Sequence, residues 1–125
     1  PNLLVDVKGR KFPDTRHSGG PARAWENWVT ADDLSSLLEW ENIFGEEFMA
    51  VLVFAYWLQG PPETAPLEEV HYFRRRHYVF AAVPVRAYAA TARPRSHRWG
   101  TVAMPSRRFL DELRDIAVLL DGSGR

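Results

Sequence analysis

Residues Phe48 to Leu58 read FMAVLVFAYWL, a run with no charge and no turn former. It is too short for a membrane span of about 20 residues, and Gly60-Pro61-Pro62 closes it. Such a segment suits a strand buried on both faces, here assigned to Phe48–Trp57. A strand of that kind occupies the middle of a sheet, so the rest of the chain must supply the layers that cover it.

Upstream, Leu3–Lys8 has strand periodicity: Leu3, Val5 and Val7 share one face, assigned to the core, while Leu4, Asp6 and Lys8 share the other. Gly9 is expected to end it. Residues 9–24 hold three Gly, two Pro and the basic side chains Arg10, Lys11, Arg16, His17 and Arg23, a long loop of the kind that often carries function. Thr30 with Asp33 forms a helix start, and Leu34, Leu37, Leu38 and Glu41 continue at helical spacing to Gly45. Strand, helix and buried strand in that order predict a right-handed crossover with Leu3–Lys8 parallel to Phe48–Trp57.

Downstream, Val70–Phe73 and Tyr78–Val83 flank Arg74-Arg75-Arg76, which reads either as a hairpin with a basic turn or as one bent strand. Pro84 suits the start of a short helix through Thr91, Arg93 to Gly100 reads as a loop, and Gly100–Met104 as a short strand. Phe109, Leu110, Leu113, Ile116, Ala117 and Leu120 are spaced as one amphipathic terminal helix. The expectation is a single α/β domain over residues 1–120, a mixed sheet with helices packed on it, followed by a flexible tail at 121–125. Because the sequence opens at Pro1 directly in a strand, the domain is expected to be N-terminally truncated.

Charge narrows the function. The formal net charge is zero, yet ten acids and no base lie from Glu26 to Glu69, and nine arginines and no acid from Val70 to Leu110. Either the two halves pair with each other or the arginines present a basic face to phosphate. The absence of cysteine excludes disulfides and thiolate zinc sites and fits a reducing, cytoplasmic compartment. His17, His71, His77 and His97 lack zinc-ligand spacing, and no Ser or Cys nucleophile motif or Gly-rich phosphate loop is present.

Asp6 and Lys8, two residues apart on one strand, aim a carboxylate and an ammonium into the same space, roughly 6.5–7 Å apart along the chain. Phosphodiester hydrolysis needs a hard divalent cation on oxygen ligands and a second cation near the scissile phosphate. Asp6 suits the first task and Lys8 the second, with the Val7 carbonyl as a further oxygen. An ordinary ion pair at a strand end is the alternative. Arg10 and Lys11 follow directly, and Arg93, Arg95, Arg98 and Trp99 form a second basic segment suited to phosphate contacts and base stacking. Trp99 packed into the core is the competing reading. Glu26, in Trp25-Glu26-Asn27-Trp28, is a candidate extra metal ligand, unless the two tryptophans merely anchor the segment.

The strand ending in Asp-x-Lys, the basic loop, the helix and the second buried strand resemble the core of the PD-(D/E)XK nuclease superfamily. The stretches PNLLVDVKGRKFP, WENWVTADDL, VFAYWL and PRSHRWGTV are similar to the HYExAFE family of bacterial proteins. The resemblance implies a restriction-endonuclease-like core and a hydrolase acting as an endonuclease on nucleic acid, with DNA the expected partner. Asp6 would be the metal ligand for Mg²⁺ or Mn²⁺ and Lys8 the catalytic cation. It also implies a preceding strand and helix with further acids. The alternative is a non-catalytic nucleic-acid-binding module on a degenerate nuclease fold.

Overall fold

The computed structural model describes residues 2–14 and 25–120. The expected loop residues Arg16, His17 and Arg23 and the tail 121–125 lie outside the described residues. The first strand, β1 (Asn2–Phe12), runs parallel to β3 (Phe48–Leu58), with Asn2 opposite Phe48 and Phe12 opposite Leu58. Between them β2 (Val29–Thr30) leads into helix α1 (Ala31–Phe44), which packs on the sheet. The crossover is the one the apolar run implied.

Thr30 starts α1 by accepting the Asp33 N–H at 3.0 Å, with Asp32 and Asp33 in the first turn. Gly45, at φ 89°, ends it in a conformation that other residues resist. On its buried face Leu37 sits in the core beside Glu41, a charged residue that is itself buried. Glu41 Oε2 accepts the Ala50 N–H at 2.7 Å, and Oε1 accepts Arg86 Nε at 2.6 Å. Ala50 lies one residue past Val51↔Pro84, the last pair between β3 and β5 (Arg76–Pro84), so the carboxylate supplies a partner where the antiparallel ladder ends.

The larger sheet is mixed, in the order β1-β3-β5-β4, where β4 is His71–Phe73. Strands β4 and β5 form a hairpin, which resolves the open choice around Arg74-Arg75-Arg76. Its two turn residues, Arg74 and Arg75, both have positive φ, 48° and 65°. Two-residue turns of that handedness normally use Asn-Gly, and placing arginines there costs about 1 kcal/mol or more per residue. Pro84 caps helix α2 (Val85–Thr91).

Four sequence expectations need correction. β1 does not stop at Gly9 but continues to Phe12, because Gly9 keeps extended backbone opposite Ala55 and Phe12 is seated in the core, edge-on to Trp25 and Tyr56 at 5.0 and 5.6 Å. The buried face of β1 is the opposite one: Leu4 and Phe12 contribute to the core under α1, while Val5 and Val7 are 48% and 58% exposed. Arg93–Ser96 is not a loop but strand β6, paired antiparallel with β7 (Thr101–Ala103), which also pairs β2 in a small second sheet. The terminal helix is broken into α3 (Ser106–Glu112) and α4 (Ile116–Leu120), separated by β8 (Arg114–Asp115). Leu113 turns extended, β8 pairs with Ala81 and Ala82 of β5, and the chain passes round the sheet, so Phe109 joins the core under α1 and Ile116 packs on the other face against Val51, Val53 and Ala82.

The four helices flank this mixed α/β arrangement, and no helix among the described residues is long and apolar enough to cross a membrane. Glu41 generates a stability prediction. Glu41→Ala strands the Ala50 N–H and should cost about 2–4 kcal/mol in urea unfolding. Glu41→Gln, which keeps an acceptor oxygen, should lose less. Arg86→Ala, on the exposed side of the pair, should cost about 1 kcal/mol or less.

Candidate functional site

The parallel register places Lys8 beside Phe54 and Arg10 beside Tyr56, so Asp6, Lys8 and Arg10 line the face of β1 that α1 covers. In a β-α-β crossover the helix starts near the carboxyl end of the first strand, which brings the first turn of α1 over Lys8. Lys8 Nζ donates to Asp33 Oδ2 at 2.6 Å and lies 3.3 Å from Asp6 Oδ2. One ammonium thus joins two carboxylates, one from the strand and one from the helix.

Burial pulls the Lys8 ammonium toward neutrality, but the hydrogen bonds and charges of Asp33 and Asp6 outweigh it and its pKa lies above the ordinary lysine value. The hydrogen bond from Lys8 holds the Asp33 carboxyl below its usual range against a smaller opposing effect of burial. From the sequence Asp33 reads as a helix-start residue and not as a member of the site. Its signal was there, as a first-turn acid of the helix that follows the Asp-x-Lys strand.

A second cluster continues from Arg10. Its guanidinium lies 4.0 Å from the centre of the Trp28 ring, and it donates through Nη1 to the Gly9 carbonyl at 2.7 Å and through Nη2 to the Trp28 carbonyl. Arg95, from β6, approaches the same indole at 5.3 Å. Burial lowers the pKa of the Arg10 guanidinium, the nearby Glu26 charge opposes this, and Arg95 adds to it. Two guanidiniums gathered on one indole make a place where an anion is welcome.

The backbone carrying Trp28 is fixed by buried polar contacts. Asn27 donates to the Met104 carbonyl at 3.2 Å and accepts the Met104 N–H at 2.8 Å. Tyr56 Oη donates to the Glu26 carbonyl at 2.8 Å, and Tyr88 Oη donates to the Asn27 carbonyl at 2.7 Å. Burial drives the pKa of both phenols upward, so both stay protonated and donating at any physiological pH. Trp25 is buried as expected, but the decisive anchors are Asn27, Tyr56 and Tyr88.

The remaining candidates separate. Arg93, Arg95, Arg98 and Trp99 are all exposed, and Trp99, at 67%, is not a core residue. Only Arg95 joins Arg10 at Trp28; Arg98 lies 5.0 Å from the Trp99 ring in the β6–β7 turn, and Arg93 borders a separate depression with Arg108. Lys11 points to the opposite face of the sheet, 5.5 Å from Trp57. Glu26 is a charge neighbour of Arg10. Val7 lies within β1 and not at its end.

Among the described residues no group of three or more His, Cys, Asp or Glu converges as a metal site. What converges is a pair: Asp6 and Asp33 both reach one cationic atom. Two carboxylates match what Mg²⁺ usually takes from protein, the rest of its octahedron being water and phosphate oxygen. The two carboxylates are oxygen donors of the type such a cation takes, and in this arrangement the Lys8 ammonium bridges them.

The Lys8 pair predicts a pH signature. Asp33, with its lowered pKa, contributes stability that is complete above the unfolded value of 3.8 and lost as pH falls through the lower folded value. Lys8, with its raised pKa, contributes stability complete below 10.5 and lost as pH rises through the higher folded value. Lys8→Met should cost about 1 kcal/mol at neutral pH. Urea midpoints of wild type and variant, measured across the pH range, should converge at both extremes.

Comparison of the chain with protein-family models, with curated proteins and with solved structures finds no match.

Proposed function

We propose that this chain forms part of a metal-dependent, nuclease-like domain that hydrolyses phosphodiester bonds in nucleic acid, most simply DNA, in a cytoplasmic setting. One observation carries the reading: Asp6, Lys8 and Arg10 follow each other on one face of β1, so a carboxylate–ammonium pair is succeeded by a guanidinium stacked on Trp28 and joined there by Arg95. A phosphodiester backbone laid along this face meets, in turn, groups suited to a metal, to the charge of a reacting phosphate and to a neighbouring phosphate. The parallel β1-α1-β3 unit with its Asp-x-Lys strand supports a restriction-endonuclease-like core, as the resemblance to PD-(D/E)XK proteins implies.

In this reading Asp6, with Asp33, holds Mg²⁺ or Mn²⁺, which supplies Lewis-acid chemistry at the phosphate. Lys8 donates to a non-bridging phosphate oxygen and steadies charge that builds up during hydrolysis. Arg10 and Arg95 hold the backbone, and the pinned Trp28 keeps their planes in place. A second reading, a non-catalytic nucleic-acid-binding module, is favoured by one observation: Lys8 already joins both carboxylates, and no third acid stands with them among the described residues.

Cleavage of labelled duplex, single-stranded and branched DNA with Mg²⁺, with Mn²⁺ and with EDTA tests the proposal. Wild type should cleave only with metal. Asp6→Ala should abolish cleavage and leave affinity within about twofold, since affinity comes from arginines that do not touch the ion. Lys8→Ala should lower turnover about 100-fold or more with metal affinity little changed. Arg10→Ala with Arg95→Ala should weaken binding about tenfold and flatten its salt dependence. Cleavage surviving in Asp6→Ala would exclude this site, binding without cleavage by wild type would favour the second reading, and no binding would end both.

A further inference from the structure

We propose that the β4–β5 hairpin and Trp57 form a second nucleic-acid contact, one that takes a single strand, on the sheet face opposite Arg10 and Trp28. The inference rests on the nucleic-acid reading above and adds to it a site and a substrate feature.

Topology places this contact. The register pairs Lys11 with Trp57 and Trp57 with Tyr78, so the carboxyl ends of β1 and β3 and the amino end of β5 share one end of the sheet, and the turn at Arg74-Arg75 lies there too. Because neighbours alternate across a strand, Arg10 serves the α1 face of this end while Lys11 serves the other. There Trp57 is held between two cations, Arg76 at 3.8 Å and Lys11 at 5.5 Å. Beyond it on this face, Phe73, opposite Arg76, is 61% exposed with Arg74 stacked on it at 5.3 Å, while Tyr72, opposite His77, is turned to the other face.

Three features point to a ligand. Arg74, Arg75 and Arg76 form no ion pair among the described residues, although the chain has as many acids as bases. Phe73, on a three-residue strand, is 61% exposed, and the contact to it that the described residues show is the Arg74 guanidinium. The turn keeps two arginines in left-handed backbone, where Asn-Gly would be stabler, which is strain of the kind retained for function. Rings interleaved with unpaired guanidiniums match unpaired bases and the phosphates that link them, as in proteins that hold single strands. A membrane surface fits less well, because one exposed ring on this face of a short ribbon provides little apolar area to insert.

The test uses the full chain and three probes: a fluorescent thymidine oligonucleotide of about 20 nucleotides, a duplex of the same length, and vesicles of neutral and anionic phospholipid. Phe73→Ala should weaken oligonucleotide binding about fivefold or more, in line with the loss of one stacked base, and change duplex binding less than about twofold. Arg74→Asn with Arg75→Gly should raise Tm by about 4 °C or more while weakening oligonucleotide binding and cutting its log–log salt slope by about 1.4, the share of two single-strand phosphate contacts. A variant that is stabler yet binds more weakly cannot be explained by misfolding. Hairpin variants that bind the oligonucleotide as wild type does would overturn this inference and leave the Arg10–Trp28 reading intact. Loss confined to vesicle binding would overturn it in favour of a membrane contact. Failure of wild type to bind either nucleic acid would overturn both readings at once.

Discussion

The parallel ladder between β1 and β3 determines nearly everything at the candidate site. With Lys8 opposite Phe54 and Phe12 opposite Leu58, the even-numbered residues of β1 turn toward α1 and the odd-numbered ones away. A slip of one position would carry Asp6, Lys8 and Arg10 to the other face and bring Val5 and Val7 under the helix. By hydrophobicity alone, the valines have the better claim to cover. What holds the observed register is the pair of ends: Leu4 packs against the core, and Phe12 closes an aromatic cluster with Trp25 and Tyr56. Full burial of a side chain such as Phe12 yields about 1.5–3 kcal/mol. A strand that covers its charges and exposes its valines violates the usual pattern, and such violations concentrate where function demands them.

Order at the basic end comes from buried hydrogen bonds more than from charge. Trp28 is half-buried, and its neighbours Glu26 and Asn27 are held through backbone carbonyls by Tyr56 and Tyr88, while the Asn27 side chain ties the segment to Met104 across most of the sequence. Each bond is worth about 1 kcal/mol net, but leaving a buried partner unmet would cost more, so the segment has one acceptable position. An indole set this firmly is a platform on which Arg10 and Arg95 can gather despite like charge.

Among the described residues, the arginines of the second half meet aromatic rings more than the acids of the first. Arg86 meets Glu41, but Arg74, Arg76, Arg95 and Arg98 stack on aromatic rings. Stacking orients a guanidinium without consuming its charge, which leaves the fork free for an incoming anion. The sheet end therefore presents cation–aromatic pairs on both of its faces, an arrangement that a count of charges or a net charge of zero conceals.

The central strand, the capped helix and their parallel crossover were legible because local signals and burial agree there: an uncharged run, a Thr30–Asp33 cap and a Gly45 stop leave little choice. The Asp6–Lys8 juxtaposition was legible from period two. The partner of that pair, Asp33, the gathering of Arg10 and Arg95 on Trp28, and the division of Arg10 from Lys11 were decided by tertiary structure, since each depends on which face of β1 is covered. The break at Leu113 has the same origin: the helical spacing from Phe109 to Leu120 is real, but two apolar clusters on opposite sides of the sheet claim its two halves. Sequence specifies periodicity; which side of a strand meets the core follows from the total packing of distant residues, and no local pattern contains that sum.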